Sequence, residues 1–364
     1  MRVALVYDRV NKWGGAERVL LALHEIFPQA PLYTSVYDAQ NAPWAKVFPK
    51  IHTSFLSGGA KSRFAGQDWI CSHHEWLAPL MPLAFESFDF SKYDLVISVT
   101  SEAAKGIITQ PETKHICYCL TPTRYLWSGY DFYFQNKILR FFSRPIVSYL
   151  RNWDKVAAER PDQIVAISTA VQKRIKKYYG REAKLVYPPA GKFQISSTKP
   201  QTNYFLVVSR LVPYKRVDLV IRVFNELGLP LVIVGTGSEE RSLKKMARKN
   251  IKFVGQLTDR QLANYYRRSR ALIFAQEEDF GLVAVEAQSF GIPVIAYRAG
   301  GALDSIRDGR TGIFFDKQEK EDLIKAVKKF EELKFNAKII KENAQKFSQK
   351  KFESRFKEII KKNL

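Results

Sequence analysis

The chain has 364 residues, 46% hydrophobic and 26% charged, the make-up of a soluble globular protein long enough for two domains with substantial cores. The formal net charge of +22 is spread along it (26 basic against 16 acidic residues in 1–200, 32 against 20 in 201–364), so there is no basic tail, and charge alone does not choose between nucleic acid, anionic lipid and a nucleotide substrate. Cys71, Cys117 and Cys119 offer neither a disulfide framework nor a zinc site, no apolar stretch approaches the length of a membrane span, and the first residues read as a strand rather than a leader, so the expected compartment is the cytoplasm.

Residues 1–8 read as the first strand. Trp13-Gly14-Gly15-Ala16-Glu17-Arg18 follows, then a helical stretch from Val19. A glycine pair between strand and helix serves either phosphate approach or a tight turn, and the pair alone leaves both open. Residues 31–37 are the next strand. Residues 40–90 are aromatic and loop-rich, and their paired His73 and His74 read as structural rather than ligating. Residues 93–99 and 115–120 are further buried strands, and their alternation with helical segments predicts a parallel α/β sheet.

Thr121-Pro122-Thr123-Arg124-Tyr125-Leu126-Trp127 comes next. Residues 137–160 then mix Ile138, Phe141, Phe142 and Tyr149 with Lys137, Arg140 and Arg144. Such a basic amphipathic segment fits an anionic membrane surface, or a core helix with a solvated basic face; Pro145 interrupts its pattern. A strand at 164–168 and a helix through Tyr178 lead to Pro188-Pro189 and a polar stretch at 194–201. These mark a linker and divide the chain into domains 1–190 and 191–364.

The second domain opens with a strand at 204–209, after which Arg210 and Lys215 bracket a loop leading into a helix, a suitable arrangement for a diphosphate. Gly235-Thr236-Gly237 after the next strand invites a dinucleotide reading, but Glu240 stands at the third glycine position and the first strand carries no such fingerprint. The apolar run 271–275 then enters Gln276-Glu277-Glu278-Asp279-Phe280-Gly281-Leu282, followed by a helix holding Glu286. Three successive acids would repel one another without cationic partners. Carboxylates accept from hydroxyls and helix N-terminal amides take anionic oxygens, so the segment suits a ligand with both hydroxyls and a phosphate. Beyond residue 316 the chain is rich in Lys and Glu, with Phe347, Phe352 and Phe356 as an apolar stripe.

The spacing from Glu278 to Glu286 around Phe280-Gly281, followed by Gly291-Ile292-Pro293-Val294, resembles the signature of family-4 retaining glycosyltransferases of the GT-B fold. Gly14-Gly15-Ala16-Glu17-Arg18 is similar to their first glycine loop, Ser209-Arg210-Leu211 with Lys215 to their diphosphate clamp, and Thr121 to Trp127 to a bacterial mannosyltransferase-like branch of polysaccharide and O-antigen synthesis.

The resemblance implies two Rossmann-like domains facing across a cleft, the first for acceptor and the second for donor, with the final helix crossing back to the first. It implies metal-independent hexosyl transfer with no cofactor, from GDP-mannose by preference, to a saccharide on a polyprenyl diphosphate, by an enzyme peripheral to the inner face of the plasma membrane. Glu278, Arg210 and Lys215 would be catalytic. Gly14, Gly15, Gly255, Gln256, Leu257, Asp279, Phe280, Gly281, Leu282 and Glu286 would hold the donor, and Arg18, Arg124, Tyr125 and Trp127 the acceptor. Metal and nucleic acid are not expected. Two departures stand out: Leu120 replaces the usual histidine, and Ala190-Gly191 an acidic residue. A transferase using a UDP-sugar, or a protein that binds a nucleotide sugar without turnover, is the alternative.

Overall fold

A computed structural model describes residues 1–57, 74–191 and 203–363. The chain forms two compact units, residues 1–187 with 353–364, and residues 188–352. Cys71, His73 and the polar stretch 194–201 lie outside the described residues.

The first unit is built on a parallel sheet of β1 (Val3–Tyr7), β2 (Leu32–Thr34), β3 (Ile51–Thr53), β4 (Leu95–Thr100), β5 (Lys114–Cys119), β6 (Gln163–Ala166) and β7 (Lys184–Leu185), in the order β3-β2-β1-β4-β5-β6-β7. The order reverses between β1 and β4, which is where a Rossmann-like sheet opens a crevice at its strand ends. β3 was not foreseen; three residues, none of them buried, leave little periodicity to read. The Thr169–Tyr179 helix shows why its sequence is helical: Ser168 caps Val171 N–H at 3.1 Å, Val171, Ile175 and Tyr179 bury one face, and Gly180 ends it. From residue 353 the final Gln349–Asn363 helix belongs to this unit, its fully buried Phe356 packing 5.9 Å from the Tyr118 ring.

Pro145 does not end its segment. Residues Lys137–Glu159 are one helix of 23 residues, with Asn136 capping Ile138 N–H at 2.9 Å. Pro145 costs the bond to the carbonyl of Phe141, but both residues are exposed, so water can take that carbonyl.

The second unit repeats the plan with β8 (Tyr204–Val208), β9 (Leu231–Val234), β10 (Ile251–Phe253), β11 (Ser269–Phe274), β12 (Val294–Tyr297) and β13 (Gly312–Phe315), all parallel in the order β10-β9-β8-β11-β12-β13. Helices cover both faces. Phe205, Val207 and Ile273 pack with the Val217–Leu227 and Lys320–Glu332 helices, while Leu206, Leu272 and Phe274 pack with the Asp259–Arg268 and Leu282–Ser289 helices. Neighbouring residues of one strand thus both enter apolar cores, which explains the unbroken apolar runs.

Candidate active site

In the second unit the strand order reverses between β8 and β11, and the loops leaving these two strands carry the expected charges. Lys215 ends the β8 loop and Glu278 lies in the β11 loop; Lys215 Nζ donates to Glu278 Oε1, 63 residues away in sequence. Gln276 Nε2 donates to the same oxygen at 3.1 Å. The lysine side chain is 10% exposed and the carboxylate 24%, so the pair is largely desolvated yet open on one side. This cation is the partner that the run of three acids calls for.

Local backbone geometry sets the pair. Arg216, directly after Lys215, has φ +53°, the left-handed region that side chains disfavour. Its guanidinium holds Gln318 through Oε1 at 3.3 Å and the carbonyl at 3.2 Å, while Gln318 Nε2 donates to the carbonyl of Ala275 at 2.7 Å. The same network therefore fixes both loops. On the other side, Gly301 N–H donates to the carbonyl of Glu278 at 2.9 Å. Gly281 takes φ +85° at the start of the Leu282–Ser289 helix, which no side chain caps, and a Cβ there would lie 2.6 Å from Phe274.

The remaining donor-side residues fall around these loops with different degrees of access. Arg210 is exposed and donates to the Tyr214 hydroxyl. Asp279 and Leu282 are half-buried. The Phe280 ring is buried against Phe347, centroids 5.5 Å apart, so this residue can offer a ligand only its backbone. Glu286 is buried and accepts from the Tyr266 hydroxyl at 2.9 Å; the Tyr266 ring stacks on Phe290. The loop after β10 carries Gly255, Gln256 and Leu257, and the Gly255 carbonyl accepts from Gly235 N–H at 2.8 Å. Gly235 itself has φ +128°, and a Cβ there would lie 1.9 Å from the carbonyl oxygen of Ser209. Close packing of the β9 loop on the β8 loop therefore accounts for this glycine without a dinucleotide.

In the first unit Gly14 and Gly15 open the Gly15–Ile26 helix, again without a side-chain cap. Arg18 lies 6.0 Å from the exposed Trp13 ring, and Glu17 accepts from the Tyr7 hydroxyl at 2.6 Å. At the reversal between β1 and β4 stands a polar network that sequence reading missed. Asp8 accepts from Thr100 Oγ1 at 2.8 Å and from the backbone N–H groups of Ser101, Glu102, Ala103 and Ala104 at 2.7–3.1 Å. Arg9 pairs with Glu102, whose carboxyl is pushed up from its ordinary range, burial outweighing the pull of Arg9.

A second centre is Asp154, which accepts from Lys105 Nζ at 2.6 Å, Thr123 Oγ1 at 2.8 Å, Trp127 Nε1 at 2.7 Å and the Tyr179 hydroxyl at 2.8 Å. The Trp127 indole N–H is thus engaged inside its own unit. Arg124 and Tyr125 are half-buried nearby in sequence, and Leu120, just past β5, is half-buried with its N–H on the Thr100 carbonyl at 2.8 Å. The only signal for these networks was polar residues at strand ends, and reading it required the strand order.

Residues 191–347 match the model of the family described as glycosyl transferases group 1. An uncharacterized glycosyltransferase of Methanocaldococcus jannaschii is 27% identical over 208 residues, 55% of this chain and 58% of that protein. A D-inositol 3-phosphate glycosyltransferase of Mycobacteroides abscessus is 30% identical over 184 residues, 46% of this chain and 42% of that one. The chain thus spans about half the length of these relatives.

Among solved structures, HepE of Anabaena in complex with UDP superposes with a TM-score of 0.71 at 19% identity, covering 100% of both chains. The sucrose-phosphate synthase of Thermosynechococcus elongatus does so with a TM-score of 0.73 at 16% identity, covering 100% of this chain and 99% of that one. The fold is that of these GT-B glycosyltransferases, two Rossmann-like α/β units with parallel sheets, and the loops holding Arg210, Lys215 and Glu278 and the helix holding Glu286 lie within the stretch that matches glycosyl transferases group 1.

Proposed function

We propose that the chain is a retaining, metal-independent glycosyltransferase. It moves a hexosyl group, mannose from GDP-mannose by preference, to a saccharide carried on a polyprenyl diphosphate in cell-surface glycan synthesis. The observation that carries this reading is the Lys215–Glu278 pair at the strand-order reversal of the second sheet, in the stretch matched to glycosyl transferases group 1.

In such a transfer the bond from the anomeric carbon to the donor phosphate breaks, the nucleoside diphosphate leaves with its electron pair, and the acceptor oxygen bonds the carbon. Negative charge grows on the diphosphate while the carbon becomes cationic. Lys215 and Arg210 supply fixed positive charge to the leaving group, and the uncapped N-terminus of the Leu282–Ser289 helix adds backbone donors. Glu278 orients Lys215 and receives hydroxyls of the transferred sugar, and Glu286 takes ribose hydroxyls. The departing phosphate oxygen accepts the acceptor's proton, so Glu278 is not a nucleophile. Gly255, Gln256 and Leu257 meet the base edge, and Asp279, Phe280, Gly281 and Leu282 meet the sugar and diphosphate. The first unit serves the acceptor, through Arg18, Arg124, Tyr125 and Trp127, with the start of the Gly15–Ile26 helix offering donors to phosphate.

A UDP-sugar donor is the second reading, favoured by the likeness to HepE, which has been seen with UDP and with UDP-glucose. Nucleotide release from GDP-, UDP- and ADP-sugars, with and without a polyprenyl-linked glycan extract, separates the two. GDP release from GDP-mannose, strongly stimulated by the extract, is the expected result. Stimulated UDP release instead would replace the donor. Donor binding with no release under any condition would overturn the transferase and mark Leu120 as the lesion, with Leu120→His the variant to test.

A further inference from the structure

The Lys137–Glu159 helix has a feature that sugar transfer does not use. Its second half is anchored, with Val147, Leu150, Asp154, Ala157 and Ala158 buried. Its first half is not: of residues 137–146 none is buried, and Ile138, Leu139, Phe141 and Phe142 are 69%, 52%, 63% and 72% exposed. Ile146, Tyr149 and Val156 continue the exposure. Positions 138, 142, 149 and 156, spaced by four and seven residues, share one face. Lys137, Arg140, Arg144, Arg151 and Lys155 recur at the same kind of spacing along a second face, roughly 140° round the helix from the first.

Up to Trp153 the helix carries cations alone, its own acids being the buried Asp154 and the terminal Glu159, and of those cations Arg140 pairs with Asp131 outside the helix at 2.8 Å. From Phe132 to Trp153 there is no Asp or Glu. Beside the helix lies a pocket of about 440 Å³ lined by Trp127, Tyr130, Arg144, Arg151 and Lys155 among others, with three cations and no carboxylate on its wall. Those cations are held by groups that leave their charge unneutralised. Arg151 Nε donates to the Leu126 carbonyl at 2.7 Å with its guanidinium 4.5 Å from the Tyr130 ring, and Lys155 Nζ stands 5.6 Å from the Trp127 ring. None of the three pairs with a carboxylate among the described residues. No helix among those residues is long and apolar enough to cross a membrane.

We infer that this helix docks the first unit on an anionic bilayer, with Ile138, Leu139, Phe141 and Phe142 entering the interface and the basic pocket taking lipid phosphates. Charge complementarity commits the surface to that occupant. An apolar face alone would suit a protein groove, but Lys137, Arg144, Arg151 and Lys155 on the same helix, none paired with a carboxylate among the described residues, give the composition of an interfacial helix on anionic lipid. Each cation at such a surface contributes roughly fivefold in affinity, and each inserted phenylalanine about tenfold or more. The inference deepens the proposed function by naming the element that meets the membrane carrying the acceptor, and it rests on that reading for the acceptor alone.

The test is sedimentation of the full chain with vesicles of phosphatidylcholine alone or mixed with phosphatidylglycerol, with nucleotide binding measured in parallel. Binding to the mixed vesicles only is expected. Phe141→Ser with Phe142→Ser should weaken it at least about a hundredfold, and Arg144→Gln with Lys155→Gln about thirtyfold, both leaving nucleotide binding and circular dichroism unchanged. Equal binding to both vesicle types, or variants that bind like the parent, would overturn the proposal. So would saturable binding of free glycerol phosphate that the Arg144/Lys155 change abolishes, because the pocket would then serve a soluble phosphate. Conversion of a dimer to a monomer by the phenylalanine changes would assign the face to a second copy and also refute it. Nucleotide binding and turnover with a soluble acceptor are read separately, so failure of the membrane inference is distinguishable from failure of the transferase reading.

Discussion

The two units share a strand plan, and each places ionised side chains at the point where strand order reverses, but the charges stand in different situations. In the first unit they are consumed by structure. Asp8 is 2% exposed and surrounded by backbone and hydroxyl donors, and Lys105 and Asp154 form an ion pair with side chains 3% and 1% exposed. In the second unit the Lys215–Glu278 pair has one open side, 24% of the Glu278 side chain facing solvent, although Gln276 also donates to the carboxylate, and Gln318 and Gly301 tie its loops. Topology therefore puts charge at both crevices, and the depth of burial of each charge decides whether it stabilises the fold or remains accessible to a ligand.

The sharpest way to break that contrast is to remove a charge from each unit. Asp154→Ala leaves Lys105 charged and buried, with Thr123, Trp127 and Tyr179 losing their acceptor; a loss of about 3–5 kcal/mol is expected for the first unit. Urea unfolding followed on that unit reads it, and a loss below about 1 kcal/mol would mean that water replaces the carboxylate.

Lys215→Ala should act on turnover instead. Charge-assisted contacts contribute roughly 1.5–3 kcal/mol, so nucleotide release should fall about tenfold to a hundredfold with little change in the unfolding midpoint. A destabilised protein with a proportionate loss of activity would place Lys215 with Lys105, as structure.

The smallest effect is a dependence on pH. His115 on β5 is fully buried with Nε2 2.8 Å from Ser98 Oγ, and burial lowers its pKa to about 3. Its folded value lies below the ordinary value of about 6.5, so at pH 7 the folded ring is neutral, the unfolded one mostly so, and the slope is small. Below pH 6.5 the unfolded chain takes up a proton that the folded chain refuses, so stability falls with acid until about pH 3. Between pH 6.5 and 5.5 the loss is at most about 1.4 kcal/mol. His115→Gln should flatten this part of the urea-midpoint profile; an unchanged slope would assign it to other groups.

What was legible in the sequence follows from locality. The apolar run before Gln276, the glycine at 281 and the spacing from Glu278 to Glu286 lie within a dozen or so residues, and their meaning depends on one strand, one turn and one helix. Arg210 and Lys215 sit on one loop for the same reason. Two Rossmann-like units were readable because alternating strands and helices admit few arrangements of a parallel sheet.

Other features needed the tertiary structure. Asp8 lies 92 residues from Thr100, and Lys105 lies 49 from Asp154; no local pattern links them before β1 and β4 become neighbours. The sequence marked Trp127 as part of a motif, and only packing shows its indole N–H committed to Asp154. For the Lys137–Glu159 helix, amphipathic spacing was compatible with core and membrane alike. Its composition fixed two faces, but which apolar residues stay exposed depends on how much of the helix the sheet and its loops can cover. The sequence alone determined the secondary elements and the charges at their ends, through local sterics and periodicity. The three-dimensional fold decided which of those charges are buried, which are paired and which are open, because burial and pairing are relations between residues far apart in the chain.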